Sequence, residues 1–198
     1  MAKNPKKDSV AVVGLRGNLA YQLKITLKDI NPPIWRRIQV CGDITLYELH
    51  TIIQTVMDWL GHHPHVFNIR GLWYADPLDG PEADADESKS SLDELNLEEN
   101  ERFFYVYDFG DSWEHEILLE KILPIDEKNQ YPICLTGKRS GPPDDCGGAG
   151  GYLNLLNVLN DPNHPDYNFW IEWVGTDFYP ESFDIDKTNL RLKDPSET

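Results

Sequence analysis

The chain contains few cysteines and few basic residues, and it has no long hydrophobic run. Three cysteines among 198 residues, an odd number, do not make the disulfide framework of a small secreted domain. No apolar stretch has the length of a signal peptide core or a membrane-spanning helix. These absences predict a protein of the reducing cytoplasm that does not bind membranes.

The shortage of basic residues also bears on partners. Lys and Arg total 18 against 34 Asp and Glu, which gives a formal net charge of −16. Because the phosphates of nucleic acids are neutralised by Lys and Arg, this balance predicts weak binding to DNA and RNA. A basic protein is the macromolecular partner that such a charge favours.

The chain is rich enough in apolar and aromatic residues for one core. Hydrophobic residues make up 40% of it and aromatic residues 11%, which excludes general disorder. We predict a single domain over residues 19–192, with a flexible tail at 1–18 and a second tail at 193–198. A short strand is an alternative for the apolar run in the first tail.

Periodicity predicts an α+β fold with a mixed or antiparallel sheet of about five strands. Apolar and polar residues alternate over Tyr21 to Leu27, as in a strand with one buried face. Thr45 and Glu48 form a capping box that begins one long helix packed on the sheet, ending at Leu60. Further patterns predict a hairpin made of strands at 103–107 and 113–119. Short C-terminal helices are predicted at 152–159, 165–174 and 184–192, and a strand from Phe169 to Trp173 is the alternative to the second of them.

The segment from Asp76 to Glu101 is strongly acidic. It carries eleven acidic residues and one base, Lys89. Since so many carboxylates do not fit in a core, we predict a solvated, mobile insertion within the domain.

Arg36 lies on the apolar face of its predicted strand, together with Ile34, Ile38 and Val40. One interpretation is an arginine whose stem packs while its head reaches water. The other is a guanidinium that pairs with a carboxylate, because an unpaired buried charge is costly. For this second interpretation we predict Asp108 or Asp111 as the partner.

Reactive side chains occur in three places: after the long helix, on the hairpin, and in a Gly/Pro-rich loop. We expect them to converge with Arg36 on one candidate pocket, which comprises Arg36, His63, His65, Asp108, Asp111, Trp113, His115, Asp144, Asp145 and Cys146. Imidazole, carboxylate and thiolate groups together are ligands for a divalent transition metal. The predicted metal ligands are His63, His65, Asp108 and His115.

Each group also has a structural interpretation. Asp108 and Gly110 are ordinary turn residues, His115 fits a hydrogen-bonded core histidine, and Cys146 fits a small buried thiol. No stretch has the spacing of a known metal motif, and a nucleophilic Cys146 would need His63 or His115 nearby as a base.

Four motifs together resemble one protein family. They are I-N-P-P-I-W-R-R at 30–37, the helix at 46–59 followed by H-x-H, Y-D-F-G-D-x-W-x-H at 107–115, and P-P-D-D-C-G-G at 142–148. The chain from Tyr21 to Leu192 resembles the family named after open reading frame three of plasmid pRiA. Some members of that family are labelled as resolvase-like passengers of insertion elements. The resemblance implies a roll-like α+β domain of unestablished function, associated with mobile elements.

Two departures from the family pattern affect the expected chemistry. Asp144 stands where the family loop usually has Glu, and Gly141 stands where a further Cys is common, so a thiolate-rich metal site is disfavoured. The activated serine and basic domain of a serine recombinase are not present in the sequence.

Two classes of function follow from the sequence. An acidic cytoplasmic interaction domain accounts for the charge and the aromatic content. The alternative is a metal-assisted hydrolase acting on a phosphoester through His63, His65, Asp108, Asp111 and His115.

Overall fold

A computed structural model describes residues 18–78 and 81–194. The predicted N-terminal strand and nearly all of that tail lie outside these residues, as do 195–198. The strands are β1 (Leu19–Leu27), β2 (Trp35–Cys41), β3 (His65–Ile69), β4 (Leu72–Ala75), β5 (Ala85–Asp86), β6 (Arg102–Tyr107), β7 (Trp113–Pro124) and β8 (Ile133–Lys138). The helices are α1 (Leu46–Met57), α2 (Gly148–Leu159), α3 (Tyr167–Val174) and α4 (Ile185–Lys193), with a 3₁₀ turn at Glu87–Lys89.

All eight strands belong to one mixed sheet, in the order β5-β4-β3-β6-β7-β1-β2-β8. Only the β4–β5 pair is parallel among the described strands. The α+β class is therefore confirmed, but five strands was an underestimate. The short β5 has two residues, and β8 follows a proline and carries polar residues, so neither has a clear period-two pattern.

The predicted alternation in β1 is the basis of the core. Leu23, Ile25 and Leu27 are buried on one face, and β1 pairs with β2 on one side and β7 on the other. The opposite face carries exposed ion pairs such as Lys28 with Glu114 at 2.6 Å. Because only one face of the strand is buried, its register is fixed. A shift by one residue would expose the whole apolar set to solvent.

Helix α1 begins at the predicted capping box. The Thr45 hydroxyl accepts from the Glu48 amide, and the Glu48 carboxylate accepts from the Thr45 amide. The last helical residue is Met57, three residues before the predicted end, and the C-cap Asp58 takes the left-handed conformation with φ 67°. Its buried side packs over the sheet and contains Leu46, Leu49, Ile53, Val56 and Met57.

The acidic segment is folded onto the domain, and the predicted solvated insertion was wrong. Leu92 and Leu97 are buried in the core, and the amide of Leu46 donates to the carbonyl of Ser90. Glu87 is 0% exposed. The segment packs because a few apolar anchors and one buried acid face inward, while acids such as Glu98 and Glu99 are exposed and Glu101 binds Arg70.

The three C-terminal helices follow the Gly/Pro-rich loop. Helix α4 begins at Asp184, whose side chain accepts from the Lys187 amide, and it packs against β8 and α1. Helix α3 has no buried residue among its described members. In the described ranges, no helix is both long enough and apolar enough to cross a bilayer.

Candidate functional site

Three separate segments meet at one end of the sheet. His63 follows α1, Asp108 begins the β6–β7 turn, and Asp145 belongs to the loop before α2. His63 Nε2 lies 3.3 Å from Asp145 Oδ1 and 4.0 Å from Asp108 Oδ2. The three ligand atoms lie within 4.8 Å of one another. We call these three residues, which are candidate metal ligands, the metal trio.

The backbone of the tight turn holds Asp108 in place. Asp108 has a left-handed φ of 55°, and its Oδ1 accepts from the amide of Gly110 at 2.8 Å and from the amide of Asp111 at 3.3 Å. The other oxygen, Oδ2, therefore faces His63. Asp108 is only 7% exposed, so its carboxylate has little water to stabilise its charge.

The Gly/Pro-rich loop is joined to the same turn. Asp111 Oδ2 accepts from the Gly147 amide at 3.1 Å. A Cβ on Gly148 would lie 2.3 Å from the carbonyl oxygen of Asp111, so only glycine allows this approach. The loop thus brings Asp145, with φ 57°, beside His63.

The other loop residues add charge but no nucleophile. Burial raises the pKa of Asp144, and the Leu60 amide donates to its Oδ2 at 3.5 Å. Cys146 is buried, and desolvation with the nearby Asp111 charge raises the pKa of its thiol to about 12. Cys146 is therefore the small buried thiol of the structural interpretation.

His65 does not join the metal trio, although it was a predicted ligand. Its Nε2 bonds both oxygens of Glu87, at 3.0 and 2.9 Å. Its ring stacks on His50 with a centroid distance of 3.5 Å. No pattern distinguishes Glu87 as the partner of His65, because ten other acids occupy the same segment.

His115 and Trp113 belong to the core, so the prediction of His115 as a metal ligand was also wrong. His115 is fully buried, its Nδ1 donates to the Trp113 carbonyl at 3.0 Å, and burial lowers its pKa to about 4. Trp113 is buried beside Trp59, with a centroid distance of 5.9 Å. Neither ring lies in the metal trio.

The predicted pairing of Arg36 with Asp108 or Asp111 was wrong. Arg36 donates to three backbone carbonyls, those of Val56, Trp35 and Lys138, at 2.7, 3.0 and 3.0 Å. Nε and Nη1 of the guanidinium donate to peptide oxygens of α1, β2 and β8, and none of these bonds goes to the hairpin. A sequence does not show which backbone carbonyls will accept hydrogen bonds. The pattern could therefore suggest only a side chain as the partner of Arg36.

Sequence reasoning missed a hydrogen-bonded chain next to the trio. Gln54 Nε2 donates to the Tyr105 hydroxyl at 2.9 Å, and that hydroxyl lies 2.7 Å from His50 Nδ1. The Tyr105 hydroxyl therefore links Gln54 and His50, two residues of α1, in one hydrogen-bonded chain. His50 and Gln54 are polar residues on the apolar side of α1, and that helical spacing could have revealed them.

The metal trio has the composition of an open transition-metal site. One imidazole and two carboxylates suit Zn²⁺ and similar ions, whose ligands lie about 2.0–2.2 Å from the metal. Three protein ligands leave a coordination position for water or substrate. His63 is partly exposed and Asp145 is exposed, so the position is open to solvent.

The chain matches the family model described as "Plasmid pRiA4b ORF-3-like protein" over residues 19–187. It is 35% identical over 162 residues to the uncharacterized protein y4hQ of Sinorhizobium fredii (strain NBRC 101917 / NGR234), and the match covers 80% of this chain and 82% of that protein. The crystal structure of a protein of unknown function, MM3350 from Methanosarcina mazei Go1, matches with a TM-score of 0.78 and 42% identity. That match covers 86% of this chain and 97% of the other. The chain therefore belongs to the plasmid pRiA4b ORF-3-like family.

Proposed function

We propose that the protein binds a divalent transition-metal ion through His63, Asp108 and Asp145 and uses it to activate water for hydrolysis. The observation that carries the proposal is the meeting of three ligand atoms within 4.8 Å, from three segments distant in sequence. Two of these residues, Asp108 and Asp145, adopt left-handed backbone conformations. Such conformations cost free energy, and they cluster at functional sites.

Electrostatics supports a cation at this position. Asp108, Asp144 and Asp145 act on one another as like charges, and burial together with these neighbours raises the pKa of Asp144. A divalent ion would compensate this repulsion and would lower the pKa of a bound water toward about 7. A phosphoester, whose charge such an ion can neutralise, is the substrate class we propose.

Metal content of protein purified without an affinity tag tests the binding step. We expect about one equivalent of bound zinc or a similar ion, and at least tenfold weaker binding in His63→Ala and Asp145→Asn. His62→Ala is the matched control, because His62 is the exposed neighbour of His63 and lies outside the trio. Equal loss of metal binding in all three variants, or no bound ion in the wild type, would contradict the assignment of the ligands.

Hydrolysis of bis(p-nitrophenyl) phosphate by the metal-loaded protein tests the reaction. We expect turnover that Asp108→Asn abolishes and His62→Ala retains. A protein that holds one equivalent of metal but hydrolyses no phosphoester would contradict the hydrolase and leave the metal with a structural role.

A cytoplasmic interaction domain is the second candidate function. Helix α3 and the turn after it expose aromatic side chains, those of Phe169, Trp173 and Tyr179, and the net charge of −16 favours a basic protein partner. Association with mobile elements is part of this proposal and follows from the family resemblance alone. Retention of the protein on an immobilised basic partner, lost on Trp173→Ala, is the expected result.

A further inference from the structure

Arg36 carries a buried charge that the fold does not neutralise. The residue is 1% exposed, and its guanidinium carbon lies 4.1 Å from the centroid of the Phe183 ring. A Cβ on Gly137 would lie 2.7 Å from Phe183 Cε1 and 2.8 Å from Arg36 Cδ. The absence of a side chain at Gly137 therefore allows Arg36 and Phe183 to pack together.

The guanidinium has five N–H groups, and the protein uses three. Nε donates to the Val56 carbonyl, and Nη1 donates to the carbonyls of Trp35 and Lys138. The two N–H groups of Nη2 have no hydrogen-bond partner among residues 18–78 and 81–194. Because Arg36 is otherwise enclosed and lines a cavity, the cavity is where Nη2 can meet a partner.

Carbonyl oxygens hold only partial charges, so they compensate a full positive charge poorly. Buried arginines are usually paired with carboxylates for this reason. Desolvation lowers the pKa of Arg36 to about 10, although the charge of Asp58 acts in the opposite direction.

The cavity beside Nη2 has a volume of about 250 Å³. Its walls include the apolar side chains of Val174, Phe178 and Phe183. Other charged residues also line the cavity, and two of them, Arg191 and Asp58, form an ion pair.

Two acids restrict the charge of a ligand. Asp177 and Asp184 line the cavity with Lys187, and all three are exposed. Exposed charges are screened by water and salt, whereas the charge of the buried Arg36 is screened much less. One buried cation in a lining that also holds two acids suits an anion with a single charge better than a phosphate dianion.

We propose that this cavity binds a small monocarboxylate with an apolar body, whose carboxylate accepts the two N–H groups of Arg36 Nη2. The apolar walls cover the body of the ligand, and the ligand supplies the counter-ion that the fold lacks. This proposal does not depend on the metal trio, because the cavity and the trio share no residue.

Calorimetric titration of the full chain with hexanoate and benzoate tests the proposal. We expect saturable binding of one molecule per chain, and at least tenfold weaker binding of the neutral analogues hexanamide and benzamide. Inorganic phosphate should bind at least tenfold more weakly than either acid. Equal affinity for acids and amides, tighter binding of phosphate, or no saturation by 10 mM of either acid, a rough upper limit for such a small ligand, would overturn the proposal.

Two variants locate the binding at this cavity without disturbing the buried arginine. Asp177→Asn removes an exposed acid from the lining and should tighten carboxylate binding about two- to fivefold. The matched control Glu127→Gln removes an exposed acid that does not line the cavity and should leave affinity unchanged. Val174→Phe fills the cavity and should abolish binding.

Arg36→Lys completes the set, because lysine keeps the charge but not the planar fork. We expect at least tenfold weaker binding if the variant folds. Unchanged affinity in both Asp177→Asn and Val174→Phe would overturn the proposal, whatever the folding of the Arg36 variant.

Discussion

The acidic segment and the β2–α1 contact each bury one charged side chain, and they compensate it differently. Glu87 meets His65, which bonds both of its carboxylate oxygens. Arg36 donates hydrogen bonds to three backbone carbonyls and lines a cavity. A charge with an internal partner serves the fold, whereas a charge with unfilled hydrogen-bonding capacity indicates a ligand. Asp108 resembles Arg36 in this comparison. Its Oδ1 accepts from backbone amides, whereas its Oδ2 faces His63 within the metal trio.

Removal of Glu87 should cause the largest loss of stability. Glu87→Ala leaves His65 buried without its carboxylate partner, and breaking a buried pair costs about 3–5 kcal/mol. Urea denaturation at pH 7 measures this change. Glu99→Ala, in the same acidic segment but exposed, is the control and should change stability by less than about 1 kcal/mol. A Glu87 variant as stable as the control would remove the distinction between the two regions.

Metal binding at the trio should stabilise the folded protein. At a zinc concentration a hundred times its dissociation constant, wild-type protein should gain about 2.7 kcal/mol, and Asp108→Asn should gain almost none. In the presence of a chelator, Asp108→Asn should match the wild type within about 0.5 kcal/mol or exceed it, because like-charge repulsion is relieved. Thermal denaturation with zinc and with chelator gives both values. A large loss in chelator would identify Asp108 as a structural residue.

Acid should destabilise the protein through two buried histidines. Burial lowers the pKa of His50 to about 3 and that of His115 to about 4. Below pH 6.5 the unfolded chain therefore binds protons that the folded chain does not, so stability falls as the pH is lowered. At pH 5 each histidine accounts for about 2 kcal/mol by linkage.

Urea denaturation at pH 7 and pH 5 measures this loss. His115→Gln should lose less stability than the wild type over the same interval, and His164→Gln, a more exposed histidine, should lose the same amount. Identical pH dependence in the wild type and His115→Gln would contradict the assigned burial effect.

An exposed ion pair gives the smallest expected effect. Lys28 and Glu114 lie 2.6 Å apart, but 40% and 45% of their side chains are exposed. Lys28→Ala should change the free energy of unfolding by no more than about 0.5 kcal/mol. A larger loss would show that distance, rather than burial, separates strong pairs from weak ones in this protein.

Local patterns in the sequence predicted much of the fold. The capping box at Thr45, the alternation in β1 and the hairpin around Gly110 depend on neighbouring residues, and the structure has all three. The burial of Arg36 also followed from strand parity, since Arg36 shares a face with Ile34 and Ile38.

Long-range pairings were not predictable in the same way. His65 and Glu87 are 22 positions apart, and nothing distinguishes Glu87 from the acids around it. Asp145 was expected in the candidate pocket, but its role beside His63 depends on the path of a glycine-rich loop. Periodicity describes regular elements and gives no coordinates for such a loop.

The strand order has a consequence for synthesis of the chain. Strand β1 lies between β2 and β7, and Leu19 opposes Pro124. During translation, the β1–β2 hairpin leaves the ribosome long before β7, so one edge of β1 stays open while the middle of the chain is made. Such distant pairing slows folding and exposes a strand edge to other chains. We therefore expect each nascent chain to be most prone to aggregation before β7 emerges and pairs with the open edge of β1.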